Sequence, residues 1–313
     1  MPSQSPAQVE PSSATQSPEK ILQRLDWTVI RRLDGLLQGD YRTLFHGFGL
    51  DFADLREYQY TDDIRYIDWN VTARMQTPYV REYIEDREVT AWFLLDISPS
   101  VDFGTVQTLK RNLLIDFVSV LARLLTRHGN RVGAILYGAK VEEVIPARGG
   151  KLQVLRLIND LVRQPRLKHT PATNLNTLLE NALRTIRRRS LIFIISDFIS
   201  APGWDKPLRA LAQHHEVLAV RLFDPREVDL PDIGPLIFED AETGEQLYID
   251  THDKKFRKRF VQAAKRREFE LNVAFSRSGV DVLPLSTEDN LVNEIIRFAS
   301  LRKQRKTNPA AAR

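Results

Sequence analysis

Asp96, Ser98 and Ser100 set a carboxylate and two hydroxyls at alternate positions in Leu94-Leu95-Asp96-Ile97-Ser98-Pro99-Ser100. The apolar run 91–95 before them reads as a strand buried on both faces, as in the middle of a parallel sheet. The oxygen cluster then falls at the carboxyl end of a central strand, where open α/β sheets bind their ligands. Two more loops offer the same chemistry. One carries Thr173, within Pro171-Ala172-Thr173-Asn174-Leu175; the other carries Asp197, at the end of the buried run 190–196. A helix-capping Thr or a strand-end Asp is common by itself. In this order, at matching ends of successive elements, Asp96, Ser98, Ser100, Thr173 and Asp197 form the candidate ligand set of one metal site. Hard oxygen donors without a soft ligand suit Mg²⁺, with Mn²⁺ or Ca²⁺ as alternatives, rather than zinc or copper.

Positioning these loops requires alternating strands and helices. The pattern predicts strands at 89–96, 131–137, 190–196, 216–223 and 280–285, and helices at 105–128, 151–162, 174–188, 206–215, 253–276 and 288–301. Gly138-Ala139 is a tight turn, so a strand at 140–145 should run antiparallel to its predecessor. The predicted fold class is therefore α/β, a mostly parallel sheet with helices on both faces. Residues 225–250 interrupt the alternation with a β-hairpin turning at Thr243-Gly244.

The first 17 residues are rich in Ser, Pro and Gln and read as a disordered tail; residues 303–313 read as a polar, basic one. Between the first tail and the α/β domain at 88–302 lies a segment, 18–87, that opens with a helix at 18–37 and ends in an edge strand near 77–83 leading into the central strand. It is dense in charge and aromatics: Arg56, Glu57, Tyr58, Asp62, Asp63, Arg65, Asp68, Trp69 and Arg74. Buried charges must be paired. The expectation is a segment packed on the sheet, its arginines paired with its carboxylates; a partner-binding role is the other reading of the same residues.

Composition excludes several classes. There are no cysteines, hence no disulfide, zinc–thiolate site or thiol nucleophile. No apolar run approaches the ~20 residues of a membrane helix, and the polar N-terminus is unlike a signal peptide. A cytoplasmic protein with no membrane partner is expected. The net charge of +4 comes from 45 basic and 41 acidic residues, a mild imbalance. Basic runs at 184–189 and 254–267 come without stacking aromatics, which argues against nucleic acid as a partner.

The order Asp96-x-Ser98-x-Ser100, Thr173, Asp197 resembles the metal-ion-dependent adhesion site of von Willebrand factor A domains. Arg56-Glu57-Tyr58, Asp62-Asp63-Ile64-Arg65, Ile67-Asp68-Trp69 and Thr72-Ala73-Arg74 resemble the signature of one bacterial branch, the MoxR-associated family called domain of unknown function 58. Phe103-Gly104, residues 223–227 and residues 240–244 fit that branch as well. Pro99 and Thr61 depart from its usual pattern, with Pro99 where a small residue is more usual and Thr61 where Gly often stands. The resemblance implies a von Willebrand A-like (Rossmann-like) fold. It implies that Ser98, Ser100 and Thr173 meet the metal by hydroxyl, that Asp96 and Asp197 act directly or through water, and that one position stays open for a partner's carboxylate. It also implies a MoxR-type AAA+ ATPase as partner.

The function expected is a non-catalytic, metal-dependent adaptor joining that ATPase to a client protein. A metal-dependent hydrolase or phosphatase is the alternative, but a dehalogenase-like phosphatase would want a second Asp where Ser98 stands. A serine hydrolase would want a Gly-x-Ser-x-Gly elbow, and no such elbow occurs. A nucleic-acid binder acting through the basic helices is the remaining alternative.

Overall fold

A computed structural model of the 313-residue chain describes residues 17–30, 33, 55–60, 62–64, 67–81, 89–105, 108–167 and 173–307. The expected tail at 1–16, the stretch 34–54, Thr61 and Arg65 lie outside the described residues. Ser17 caps helix α1 (Pro18–Leu25), accepting from the Lys20 N–H at 3.4 Å, with Pro18 where a missing N–H costs no hydrogen bond. A wider π-helical turn, Asp26–Ile30, follows. Strands β1 (Leu55–Glu57) and β2 (Tyr79–Arg81) pair antiparallel, with helix α2 (Trp69–Met75) between them in sequence. The edge strand expected near 77–83 therefore pairs in this small sheet and not in the main one.

The α/β body follows in order: β3 (Thr90–Asp96), α3 (Lys110–Arg127), β4 (Arg131–Tyr137), β5 (Val141–Arg148), α4 (Lys151–Arg163), α5 (Leu175–Thr185), β6 (Leu191–Ser196), α6 (Asp205–His214), β7 (Glu216–Phe223), β8 (Pro235–Glu239), β9 (Gln246–Asp250), α7 (Lys254–Ser278), β10 (Asp281–Ser286) and α8 (Leu291–Thr307). The six-stranded sheet runs β10-β7-β6-β3-β4-β5, parallel except for β5 at the edge. β8 and β9 form a separate antiparallel hairpin. From β3 the chain builds outward through β4 to β5, then returns to the other side of β3 as β6. The crevice between β3 and β6 is thus the topological switch point, where open α/β sheets bind ligands.

Alternation along β3 splits the core. Ala91, Phe93 and Leu95 join the apolar faces of α1, α3, α4 and α8; Leu94 joins those of α5, α6 and α7. This is the α/β von Willebrand A-like (Rossmann-like) arrangement, with a helical layer on each face.

Several boundaries differ from the expectation: the helix expected to 188 ends at Thr185, and the strand expected to 145 continues to Arg148. The helix predicted from 105 begins at Lys110, because Thr105 is held outside it: its N–H and hydroxyl donate to Asp224 at 2.8 and 2.6 Å. A Cβ on Gly104 would collide with the Thr108 carbonyl, so only glycine fits at this close backbone approach. The last helix continues to Thr307, into the stretch read as a tail. The first helix widens into the π-helical turn at Asp26–Ile30 and Leu33 is helical again; its expected end near residue 37 lies outside the described residues.

Candidate metal centre

Asp96 ends β3 and Ser196 ends β6, and the two strands are neighbours in register, Leu95 beside Ile195. The Asp96 carboxylate is fully buried. Its Oδ2 accepts from Ser196 Oγ at 2.6 Å and its Oδ1 from the Ser98 N–H at 3.0 Å. Ser196 in turn accepts from the Phe198 N–H at 2.9 Å, which directs its own proton to Asp96. Phe198 has φ 58, a left-handed backbone, and is held there by its ring packing against Trp204 and Phe275. That turn carries Asp197 over the end of the sheet.

Pro99 opens a single 3-10 turn, Pro99–Asp102, where its fixed φ is suited and no N–H is needed. The turn brings Ser98 Oγ and Ser100 Oγ to 3.0 Å from each other. Asp197 is 2 % exposed. It accepts from the Ile199 N–H at 3.0 Å through Oδ1 and from Lys110 Nζ at 2.8 Å through Oδ2. Lys110, fully buried at the first turn of α3, also donates to Glu227 at 2.7 Å. Burial alone would lower its pKa, but Asp197 and Glu227 more than offset this and hold it above the ordinary lysine value, so it stays a cation.

Thr173, also buried, reaches the same end of the sheet from the loop before α5. Its carbonyl accepts from the Ala201 N–H and Ser200 Oγ, both at 3.0 Å, which ties it to the loop after β6. The next residue's N–H donates to the Tyr137 hydroxyl at the end of β4, at 3.3 Å. The Thr173 N–H donates to Glu242 Oε2 at 2.7 Å, and its hydroxyl donates to the other oxygen of the same carboxylate.

The structure thus brings Asp96, Ser98, Ser100 and Asp197 together at the switch point and sets Thr173 at the same end. It adds five residues that sequence reasoning did not assign to the site: Lys110, Ser196, Glu227, Glu242 and, behind them, Asp224. Ser196 left a signal, since a hydroxyl in a fully buried strand must find a partner. Lys110 left none locally, because its partners are 87 and 117 residues away.

The donor set fits a hard divalent cation. Asp197 and Glu227 share the one ammonium of Lys110, and Asp96 and Glu242 bring two further carboxylates to this end of the sheet, a formal charge of 1 − 4 = −3. Burial, and then the Asp197 charge, push Asp96 up to about 6 from the ordinary 3.8, against the pull of its hydrogen bonds from Ser196 and Ser98. A cation would relieve that repulsion. Asp197 Oδ1 and Oδ2 accept from the Ile199 N–H and Lys110 Nζ, and Asp96 accepts from Ser196 and from both the N–H and the hydroxyl of Ser98, so both carboxylates are fixed in place. Among the described residues no three His, Asp or Glu side chains converge as an ion cage. A metal here would rest on the two aspartates with the hydroxyls of Ser98, Ser100 and Thr173, the composition of a site that keeps water and an open position.

The charged and aromatic cluster lies elsewhere. Asp68 is buried and caps α2, accepting from Asn70 N–H at 3.0 Å. Asp62 accepts from Gln59 N–H at 2.8 Å. Trp69 is 69 % exposed and Tyr60 98 % exposed, so these aromatics are not packed on the sheet as expected. Tyr60 lies in the turn after β1 and Trp69 opens α2, so neither belongs to the β1–β2 ladder. Pairing of Arg65 lies outside the described residues, as do the side-chain surroundings of Arg56.

Sheet order and the helical layers on its two faces give the chain a von Willebrand A-like fold. The chain belongs to the family described as Protein of unknown function DUF58, which matches residues 54–270. The uncharacterized protein Rv1480 of Mycobacterium tuberculosis is 35% identical over 283 residues, 90% of this chain and 89% of the relative. The uncharacterized protein MAV169 of Mycobacterium avium is 35% identical over 160 residues, 51% of this chain and 94% of its own. Solved structures that resemble it include an aerotolerance-related membrane protein of Bacteroides fragilis, at TM-score 0.44 and 15% identity over 69% of this chain and 99% of that one. BatB of Bacteroides thetaiotaomicron matches at TM-score 0.43 and 13% identity, over 69% of this chain and 99% of its own. Among the described residues, no helix is long and apolar enough to cross a membrane.

Proposed function

We propose that this protein is a non-catalytic, divalent-metal-dependent adaptor that binds partners through a carboxylate of theirs. The observation that carries this reading is the buried Asp96–Asp197 pair at the switch point, lined by the Ser98 and Ser100 hydroxyls and short of positive charge. When bound, Mg²⁺ would supply a Lewis-acidic position for an incoming carboxylate. Asp96 and Asp197 would hold it, Ser98, Ser100 and Thr173 would contribute hydroxyls, and Lys110 would keep Asp197 ionised and fixed. The family resemblance supplies the partner class, a MoxR-type AAA+ ATPase, with the client protein as the second partner; the cytoplasmic setting rests on composition, a chain with no cysteine and no apolar run of membrane length.

The chemistry around the site favours binding over hydrolysis. His128, His214 and His215 stand at the amino ends of the strands, on helix ends that precede β4 and β7. A six-residue strand puts them roughly 20 Å from the site. Lys110 is held as a cation by two carboxylates and is no general base. On α7, the basic helix considered for nucleic acid, Arg257 and Arg266 are paired with Asp232 and Glu270.

The test is a pull-down from native cytosol, in Mg²⁺ and in EDTA, with wild type and with Ser98→Ala/Ser100→Ala. The expected result is an AAA+ ATPase of the MoxR type retained by wild type in Mg²⁺ alone. Retention of the same proteins in all four conditions overturns the reading.

A further inference from the structure

Glu242 lies 69 residues from Thr173, on the turn of the β8–β9 hairpin, yet its carboxylate takes both donors of Thr173. We propose that Glu242 is a resident ligand of the metal centre, filling from within the chain the position that a partner's carboxylate would take. The proposal rests on the metal reading above and adds its regulation: the site is closed by its own hairpin until a stronger carboxylate displaces it.

The turn is built to present this side chain. Asp240 accepts from the N–H groups of Glu242 and Thr243, at 3.0 and 2.7 Å, and from the Thr243 hydroxyl at 3.1 Å. Gly244, at φ 73, completes the reversal and donates to the Asp240 carbonyl at 2.8 Å. The hairpin strands otherwise stand out from the body, with Ile237, Leu247 and Tyr248 at least 60 % exposed. Phe238 against Phe260 and Glu242 on Thr173 are contacts through which the hairpin meets the rest of the fold.

Two features link this contact to the metal site and not merely to a loop. The Thr173 hydroxyl gives its one proton to Glu242 and so keeps its lone pairs for a cation. The N–H of Asn174, next to Thr173, donates to the hydroxyl of Tyr137, which lies beside Asp96 in the β3–β4 register, so the loop that Glu242 holds is tied to the strand end beside the central carboxylate. A carboxylate that spans a ligand's hydroxyl and its backbone N–H, beside a cluster already rich in oxygen, is chemically the same object as the partner group the site is read to accept.

The experiment uses Mn²⁺ alone as probe, with the full chain as wild type, Glu242→Ala, Glu242→Asp and the exposed neighbour Glu245→Ala. Electron paramagnetic resonance titration gives affinity, and water-proton relaxation counts waters on the bound ion. Glu242→Ala is expected to weaken Mn²⁺ about tenfold or more and to add one exchangeable water, with Glu242→Asp between and Glu245→Ala like wild type. In hydrogen exchange, Mn²⁺ should slow the amides of Glu242 and Thr243 in wild type and not in Glu242→Ala. Lost affinity without a gained water would reduce Glu242 to orienting Thr173 and overturn its role as ligand. Unchanged affinity and water count in a wild type that binds Mn²⁺ would also overturn it, and would leave the metal reading standing. A wild type that binds no Mn²⁺ overturns both.

Discussion

Lys110 and Asp96 show how a buried ionic site sets its own balance. Lys110 neutralises Asp197 and is shared with Glu227, so it does not also neutralise Asp96. Asp96 therefore keeps its proton to about 6, where an unfolded chain would lose it near 3.8. A raised carboxylate stabilises the fold fully below the unfolded value and loses that contribution as pH climbs to the folded one. In EDTA, urea denaturation should accordingly show the Asp96 contribution falling between about pH 4 and pH 6 and level above it. Asp96→Asn should flatten this stretch, and an unchanged slope in that variant would place the titration elsewhere. Mg²⁺ competes with the same proton, so its stabilising effect should be larger above this range than below it.

Asp224 plays the equivalent part among the elements. It is fully buried just after β7 and accepts four hydrogen bonds: Thr105 N–H at 2.8 Å, Thr105 Oγ1 at 2.6 Å, Thr287 Oγ1 at 2.7 Å and Arg226 N–H at 2.9 Å. These bonds join the loop before α3 to the ends of β7 and β10, and so set where α3 starts and where Lys110 emerges. Asp224→Ala would leave several buried donors without a partner. The expected loss is roughly 2–4 kcal/mol in urea denaturation, together with weaker Mg²⁺ binding because Lys110 and Asp197 are no longer held. Wild-type stability in that variant would remove Asp224 from this role. Such bonds mark the limit of what can be read locally. Strand 216–223 was legible from its apolar run, and the hairpin from Thr243-Gly244. That residue 105 is pulled out of its helix by residue 224 is a long-range fact that no local period encodes. The same holds for Glu242 on Thr173, although the acidic turn itself was visible as a motif. Trp69 and Tyr60 went the opposite way: their aromatic character predicted burial, but Trp69 at the first turn of α2 and Tyr60 in the turn after β1 are both exposed.

For the whole molecule, the order β10-β7-β6-β3-β4-β5 does most of the functional work. It sets two parallel strands side by side whose following connections leave in opposite directions, and it opens a crevice between them at their carboxyl ends. The continuous apolar runs 91–95 and 191–195 were enough to predict these two strands as central. Their polar endings, Asp96 and Asp197, were enough to expect candidate ligands at one end of the sheet, and the structure has both residues there. The hairpin between β7 and α7 adds a carboxylate, Glu242, that reaches back to Thr173 in the loop before α5.

Isothermal titration of the metal-free protein with Mg²⁺ at pH 7.5 tests the central claim most directly, with wild type beside Ser98→Ala/Ser100→Ala. The account predicts one site per chain in wild type. It predicts loss of that site in the double variant, whose circular dichroism and urea midpoint in EDTA stay close to wild type because two hydroxyls and no core volume are removed. No binding by wild type, or equal binding by both proteins, would contradict it.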